Sequence, residues 1–286
     1  MDRSARDIVM GPARIDSLRK DQDAHKYDHG HALVLSGGPG ATGAARLAAR
    51  AALRIGAGLV TLGVPPAAQL EVAMHETSVM LRRISDAGAL SAVLEDARIT
   101  ALCLGPGLGV GRAGPLLHAA LGERRIAMVI DADALTALAE DASLMGRLHD
   151  GCILTPHMGE FQRLFPDCNV EGQDIGVRAR AVRSAADRSG CAILLKGPDT
   201  MISAPDGTTW VHRARGENAA PWLATAGAGD VLAGMITGLT ARGQRPVHAG
   251  GSAVWLHACA ARRLGPGMIA EDLPEALPQV LASLGV

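Results

Sequence analysis

Short apolar runs recur along the chain with helical patterns between most of them, and this alternation restricts the fold more than any other feature. The runs are His31 to Ser36 (HALVLS), Gly58 to Val64 (GLVTLGV), Ala101 to Leu104, Ala127 to Ile130, Cys152 to Leu154 and Cys191 to Leu195. They are short and continuously apolar, as strands buried on both faces are. After the first run, Ala44, Leu47, Ala48, Ala51 and Ile55 recur at helical spacing. Buried strands alternating with helices predict an α/β fold with a mostly parallel sheet covered on both faces. Met201 to Ser203 and Thr208 to His212, joined by the turn APDG, predict a hairpin at one edge of that sheet. From Asp230 onward the pattern is nearly all helical. A chain of 286 residues admits one large domain or two small ones, and its 48% hydrophobic content is ample for a core. No repeat, low-complexity tract or linker divides it. The expected organisation is therefore an irregular, charge-rich leader over 1–28 and a single domain over 29–286.

The charge balance removes several functions. With 28 basic and 29 acidic residues the formal net charge is −1, without the basic excess of a nucleic-acid binder. The aromatic residues are Tyr27, Phe161, Phe165, Trp210, Trp222 and Trp255, too few for a base-stacking platform. No apolar run is long enough to cross a bilayer, and charge begins at Asp2 and Arg3 where a signal peptide needs an apolar core. These features predict a cytoplasmic protein with neither nucleic-acid nor membrane partners. Cysteines at 103, 152, 168, 191 and 259 are odd in number and lack a C-x-x-C pair, so they read as buried thiols. Thirty-five glycines and many alanines predict helices packed closely on the sheet.

Parallel sheets bind ligands in the crevice beyond the carboxyl ends of their strands, so polar residues following strands matter most. SGGPGATGAA, Ser36 to Ala45, is a glycine-rich strand-to-helix turn without the spacing of a dinucleotide fingerprint or a P-loop. LGPGLG, Leu104 to Gly109, is a second flexible turn. In VIDADAL, Asp131 and Asp133 stand just past a strand, and helix capping is the expected role of Asp133. In LTPHMGEFQRL, His157 and Glu160 share a helix face, where they could hold a substrate, reach magnesium through water, or cap the helix. In LLKGPDT, Lys196 emerges from a buried strand and needs a partner, for which a nucleotide phosphate is suited. Last comes LATAGAGDVLAGMITGL, Leu223 to Leu239, in which a glycine turn becomes an apolar helix near Ala228 to Asp230. The free N–H groups of that first turn favour an anion. Taken alone, Asp230 serves equally well as a helix cap.

Together these motifs resemble the bacterial ADP-dependent (S)-NAD(P)H-hydrate dehydratases of the ribokinase-like superfamily. The resemblance runs from about Lys26 to the C-terminus through SGGPGATGAA, LGPGLG, VIDADAL, TPHMGEF, LLKGPDTMISAPDG and ATAGAGDVLAGMITGL. The chain departs from the family's TGGTGD and PHPGE by reading TAGAGD and PHMGE; Ala228 loses a hydroxyl but keeps the backbone donors and the acid. The resemblance implies a three-layer αβα sandwich and an enzyme that dehydrates hydrated NADH or NADPH while converting ADP, or ATP, to a lower nucleotide and phosphate. It implies Asp230 as the catalytic acid–base group, facing both ligands, and the Gly227–Ala228 turn as the anion hole. Lys196, Gly197, Pro198, Asp199, Thr200 and Gly229 match nucleotide-binding positions, with Pro198 and Asp199 contributing backbone only. Ala44, Gly107 and His157 match positions that contact the hydrated dinucleotide. Magnesium is implied as cofactor, with Glu160 and Asp131 as indirect holders, and a homotetramer as the assembly. Many relatives carry an epimerase domain for which this chain has no room, so a separate epimerase is the expected partner. Two rival readings stay open. One is a ribokinase-like vitamin kinase that releases a stable phosphate ester. The other is a nucleotide or metal sensor, whose metal would sit on His25, His29 and His31 of HKYDHGH.

Overall fold

All six apolar runs become strands of one sheet in the computed structural model, which describes residues 5–168, 170 and 174–286. The first four residues of the expected leader lie outside the described residues. Among those described, the strands are β1 (Arg6–Asp7), β2 (His31–Leu35), β3 (Leu59–Val64), β4 (Met80–Arg83), β5 (Ile99–Leu104), β6 (Ala127–Ile130), β7 (Cys152–Leu154), β8 (Ala192–Leu195), β9 (Asp199–Ser203) and β10 (Thr209–Arg213). The α-helices are α1 (Pro12–Asp16), α2 (Gly43–Arg54), α3 (Gln69–His75), α4 (Ala87–Leu94), α5 (Val110–Ala120), α6 (Ala132–Glu140), α7 (Ala142–Met145), α8 (Met158–Leu164), α9 (Ile175–Ser189), α10 (Ala228–Ala241), α11 (Pro246–Leu264) and α12 (Asp272–Ser283).

Across the sheet the order is β1-β10-β9-β8-β7-β6-β5-β2-β3-β4. Neighbours are parallel except where β9 meets β8 and β10. After β4 the chain returns to the far side of β2 to form β5, so the strand order reverses between β2 and β5. Alternate strand residues point to opposite faces and build two cores. Val34, Leu62, Cys103, Val129 and Leu194 meet α2, α10, α11 and α12, while Leu35, Leu102, Leu104, Ile130 and Leu154 meet α4, α5, α6, α8 and α9. The result is the expected three-layer sandwich.

Helix α10 packs on β2, β5 and β6 and against α2, which explains the small residues of both helices. A Cβ added to Gly234 would stand 2.1 Å from the Ala48 carbonyl oxygen, and one on Gly238 2.4 Å from an Ile55 methyl carbon. Leucines there would hold the helices apart. The thiols of Cys103, Cys152, Cys168 and Cys191 are buried, and burial pushes those of Cys103 and Cys152 up to about 12.

Two elements differ from the sequence reading. Strand β4 pairs with β3 at the sheet edge, and its residues are largely exposed, so it lacks the continuous apolar signature of the buried strands. The leader is not wholly irregular. Its β1 pairs with β10, so the predicted hairpin is covered by one more strand. Arg14 of α1 lies 4.3 Å over the Trp210 ring and donates to Ser252 Oγ at 3.1 Å, tying the leader to β10 and α11. Among the described residues no helix is long and apolar enough to cross a membrane.

Candidate active site

The glycine turns meet beyond the carboxyl ends of β2, β5 and β6. A Cβ on Gly37 would stand 2.0 Å from the Gly107 carbonyl oxygen, and one on Gly107 3.1 Å from the Ala44 Cβ. Ala44 and Gly107 are therefore neighbours, as a shared ligand surface requires. Next to them, a Cβ on Gly105 would fall 1.7 Å from the Asp131 carbonyl oxygen. The missing side chain lets β5 and β6 end in close contact. Ala132, just after Asp131, has φ 46°, the only positive φ at a non-glycine among the described residues. Backbone strain of this kind concentrates where surrounding structure fixes a functional group. Asp133 accepts a hydrogen bond from Gly109 N–H at 2.8 Å, so it ties the first turn of α6 to the residue before α5 instead of capping its own helix, whose N-cap is the extended Asp131.

Lys196 follows β8 and does find a partner. Its Nζ lies 2.7 Å from Oδ1 of Asp131, whose side chain is 2% exposed. Burial opposes the ammonium charge, but Asp131 and then Glu160 and Asp230 outweigh it and hold the lysine above its usual range. Nζ also comes near the first turn of α10, 3.5 Å from where a Gly229 Cβ would stand. One cation thus links β6, β8 and α10.

Helix α10 begins at Ala228 with Gly227 as N-cap, left-handed at φ 88°. A Cβ on Gly227 would collide with Ala270 and Leu47, each 2.8 Å away, so only glycine fits there. Asp230 is the third residue of the helix and not its cap. Its carboxyl is half-buried. Burial and the nearby Asp131 raise it, Lys196 lowers it and Asp133 raises it again, leaving it at about 6. A carboxylate tuned this close to neutrality suits proton transfer better than simple charge pairing.

Beside this turn is a cavity of about 440 Å³ lined by Lys196, Gly197, Pro198, Thr200, Ala228 and Gly229, with Pro221, Leu223 and Leu232 as apolar walls. Asp199 does not line it. Its buried carboxylate accepts from Arg215 Nε at 3.0 and 2.9 Å, fastening the chain after β10. The Thr200 hydroxyl closes its own turn by donating to the Gly197 carbonyl at 2.8 Å.

His157 realises the capping arrangement. Its Nδ1 accepts from Gly159 N–H at 3.0 Å and Glu160 N–H at 3.3 Å, while Glu160 Oε2 accepts from His157 N–H at 2.8 Å. With Nδ1 accepting, a neutral ring carries its proton on Nε2, on a side chain 57% exposed. Capping and ligand contact are thus compatible. If His157 contacts the hydrated dinucleotide, as the resemblance implies, His157→Asn, which preserves the cap but removes the Nε2 group that lies 3.5 Å from Glu160 Oε1, is expected to raise the KM for that ligand severalfold with that for ADP unchanged. Steady-state kinetics with each ligand varied in turn checks this; unchanged values for both would leave His157 a cap only.

The three histidines of HKYDHGH do not assemble. His25 caps the turn Lys26–His29, and His31 is buried in β2 with Nε2 2.8 Å from Thr61 Oγ1. Among the described residues no three His, Cys, Asp or Glu side chains gather to hold a metal.

Sequence reading missed Glu71 and Arg215. Glu71 of α3 accepts from Gly40 N–H at 2.8 Å and from the Thr42 hydroxyl at 2.5 Å, which fixes the first glycine turn. In sequence both are ordinary charged residues outside any motif, and nothing there marks them.

A family model described as NAD(P)H-hydrate dehydratase matches residues 32–280. A bifunctional NAD(P)H-hydrate repair enzyme of Moorella thermoacetica is 38% identical over 93% of this chain and 52% of its own length. The chain thus spans about half the length of the first such bifunctional relatives it matches. An ADP-dependent (S)-NAD(P)H-hydrate dehydratase of Xanthomonas campestris pv. campestris is 31% identical over 91% of this chain and 90% of its own. Among solved structures, an ADP/ATP-dependent NAD(P)H-hydrate dehydratase from Bacillus subtilis, co-crystallised with ATP/Mg2+, superposes with a TM-score of 0.73 at 27% identity, over 93% of this chain and 94% of that one.

Proposed function

The chain belongs to the NAD(P)H-hydrate dehydratase family, and from that premise we propose that it dehydrates the S epimer of hydrated NADH or NADPH, converting ADP to AMP and phosphate. The observation that carries this reading is Asp230, raised to about 6 by burial and Asp131 on the first turn of α10, within reach of Lys196 and Asp133 and with the Lys196 cavity beside that turn. The cavity takes the nucleotide, with Lys196 and the α10 donors toward its phosphates. The glycine loops and His157 take the hydrated dinucleotide.

Hydroxide is a poor leaving group, so the hydroxyl on C6 is first phosphorylated. Asp230 accepts its proton as the hydroxyl oxygen bonds to the terminal phosphorus of ADP and the bond to AMP breaks. The N–H groups of Gly227 to Asp230 stabilise charge on the phosphoryl group in transit. The ring nitrogen then pushes its lone pair toward C6, the C6–O bond breaks to release phosphate, and loss of a C5 proton restores the double bond. Every oxygen of the original water leaves in phosphate.

Asp131 is engaged by Lys196 and Glu160 by the His157 backbone, so any magnesium ion beside them would be held through water and not by direct ligation. Such an ion would neutralise charge between the two polyanions. On the same reading, residues 29–286 are one catalytic domain behind a leader at 1–28, working as a cytoplasmic homotetramer with an epimerase as the source of the S form. A vitamin-precursor kinase would share the turn and the base but stop at the phosphate ester.

The test is to add ADP to the protein and hydrated NADH and follow the absorbance of the reduced nicotinamide. Its return supports the reading. Continued absence of that signal with nucleotide bound would overturn it.

A further inference from the structure

Ala41 is where the first glycine turn meets the second. A Cβ on Gly37 would stand 2.8 Å from the Ala41 carbonyl oxygen, and one on Gly107 3.1 Å from the same atom. Ala44, three residues on, lies against Gly107 as well. The surface assigned above to the hydrated dinucleotide therefore depends on where Ala41 is held. Glycines at 37, 38, 40 and 43 surround it, and glycine restrains its own backbone least of all residues. A turn of this composition needs a restraint from outside.

Glu71 supplies one. Its Oε2 accepts from the Gly40 N–H at 2.8 Å and its Oε1 from the Thr42 hydroxyl at 2.5 Å, so a single carboxylate grips the chain on both sides of Ala41. The bond from Thr42, and then that from Gly40, holds the carboxyl below its usual range, which keeps it an acceptor of both at neutral pH. The grip has a fixed base, because the adjacent Val72 is fully buried in the core and seats α3. Glu76, directly after α3, adds a second tie one turn along α2, where it accepts from Arg46 Nε at 3.1 Å. Thr42 stands at the N-cap of α2, yet its side chain makes no cap bond and donates to Glu71 instead. The chain thus spends this hydroxyl on joining two elements.

We propose that Glu71 is a positioning residue for the hydrated dinucleotide: from α3 it grips the first glycine turn on both sides of Ala41 and so holds the Ala44 surface against Gly107 before that ligand arrives. This rests on the assignment of the Ala44 and Gly107 loops made above. A preformed surface spares the ligand the cost of ordering the turn, so losing the grip weakens binding of that ligand and leaves the chemistry and the nucleotide alone.

The test uses Glu71→Ala, Glu71→Gln and Thr42→Val in the full chain. Alanine removes both acceptors. Glutamine fills the same space, with an amide oxygen to accept from Gly40 and an amide N–H to donate to the Thr42 oxygen. Glu71→Ala should raise the KM for hydrated NADH about tenfold, with kcat within about twofold of the wild type and ADP affinity by calorimetry unchanged. Glu71→Gln should stay within about threefold of the wild type in all three quantities. Thr42→Val should raise the same KM about threefold on its own and add nothing to Glu71→Ala, because the partner is already gone. A wild-type KM in the alanine variant would overturn the proposal. So would equal losses for ADP and hydrated NADH that follow a falling melting temperature, the mark of a purely structural role. A wild type that binds hydrated NADH without turning it over defeats the dehydratase reading alone, and calorimetric titration of that ligand into the variants then decides the role of Glu71. A wild type that does not bind it overturns both.

Discussion

Asp230→Asn is expected to lower turnover by roughly 10²-fold or more, the scale of losing a positioned general base. Asparagine has the same shape, and since Asp230 is not the N-cap of α10 the substitution removes the proton acceptor and its charge without removing a cap. The carboxyl titrates at about 6 in the fold because burial and Asp131 disfavour its charge. It therefore contributes stability when protonated. That contribution is full below the unfolded carboxyl value and disappears as pH rises through about 6. Asparagine mimics the protonated form at every pH. The variant should accordingly melt higher than the wild type near pH 8, with the difference closing in acid. The same titration predicts a wild-type rate that falls as pH drops through about 6, because the base must be ionised to accept a proton. Rates and melting curves across this range check both. An asparagine variant with near wild-type turnover would remove Asp230 from the chemistry.

Lys196→Ala should affect both stability and binding. It leaves the Asp131 carboxylate, 2% exposed, without its cation, and an uncompensated buried charge costs about 3–5 kcal/mol. It also removes the only lysine among the described residues that line the cavity, so ADP should bind at least about tenfold more weakly while the hydrate binds nearly as before. Adding Asp131→Asn separates the effects. The double variant should regain most of the stability but none of the ADP affinity. Equal losses of affinity for both ligands would show that the lysine does not face the nucleotide alone. Because Lys196 lowers the Asp230 carboxyl, the acid limb of the rate profile should also move to higher pH.

Legibility in the sequence follows from how each group is held. Strands buried on both faces announce themselves as apolar runs, and β2, β3, β5, β6, β7 and β8 were readable for that reason. Strand β4 was not, because at the sheet edge its residues are largely exposed and carry no continuous apolar run. The glycine turns were visible as motifs, yet their mutual contact, Gly37 on Gly107 and Gly105 on Asp131, depends on packing between distant segments. Lys196 was legible as a lysine in need of a partner; that Asp131 supplies it is a tertiary fact. Arg215 acts through a loop far away in sequence, and residue type alone does not reveal such a role. The reading of Asp230 as a cap failed because a left-handed Gly227 ends the turn and shifts the acid into the helix.

Product analysis of the wild type tests the central claim most directly. With hydrated NADH and ADP supplied together, the account predicts AMP, inorganic phosphate and NADH in equal amounts, since the phosphorylated hydrate expels phosphate once it forms. AMP formed without NADH, alongside a phosphate ester that accumulates, would show phosphoryl transfer without elimination and identify a kinase.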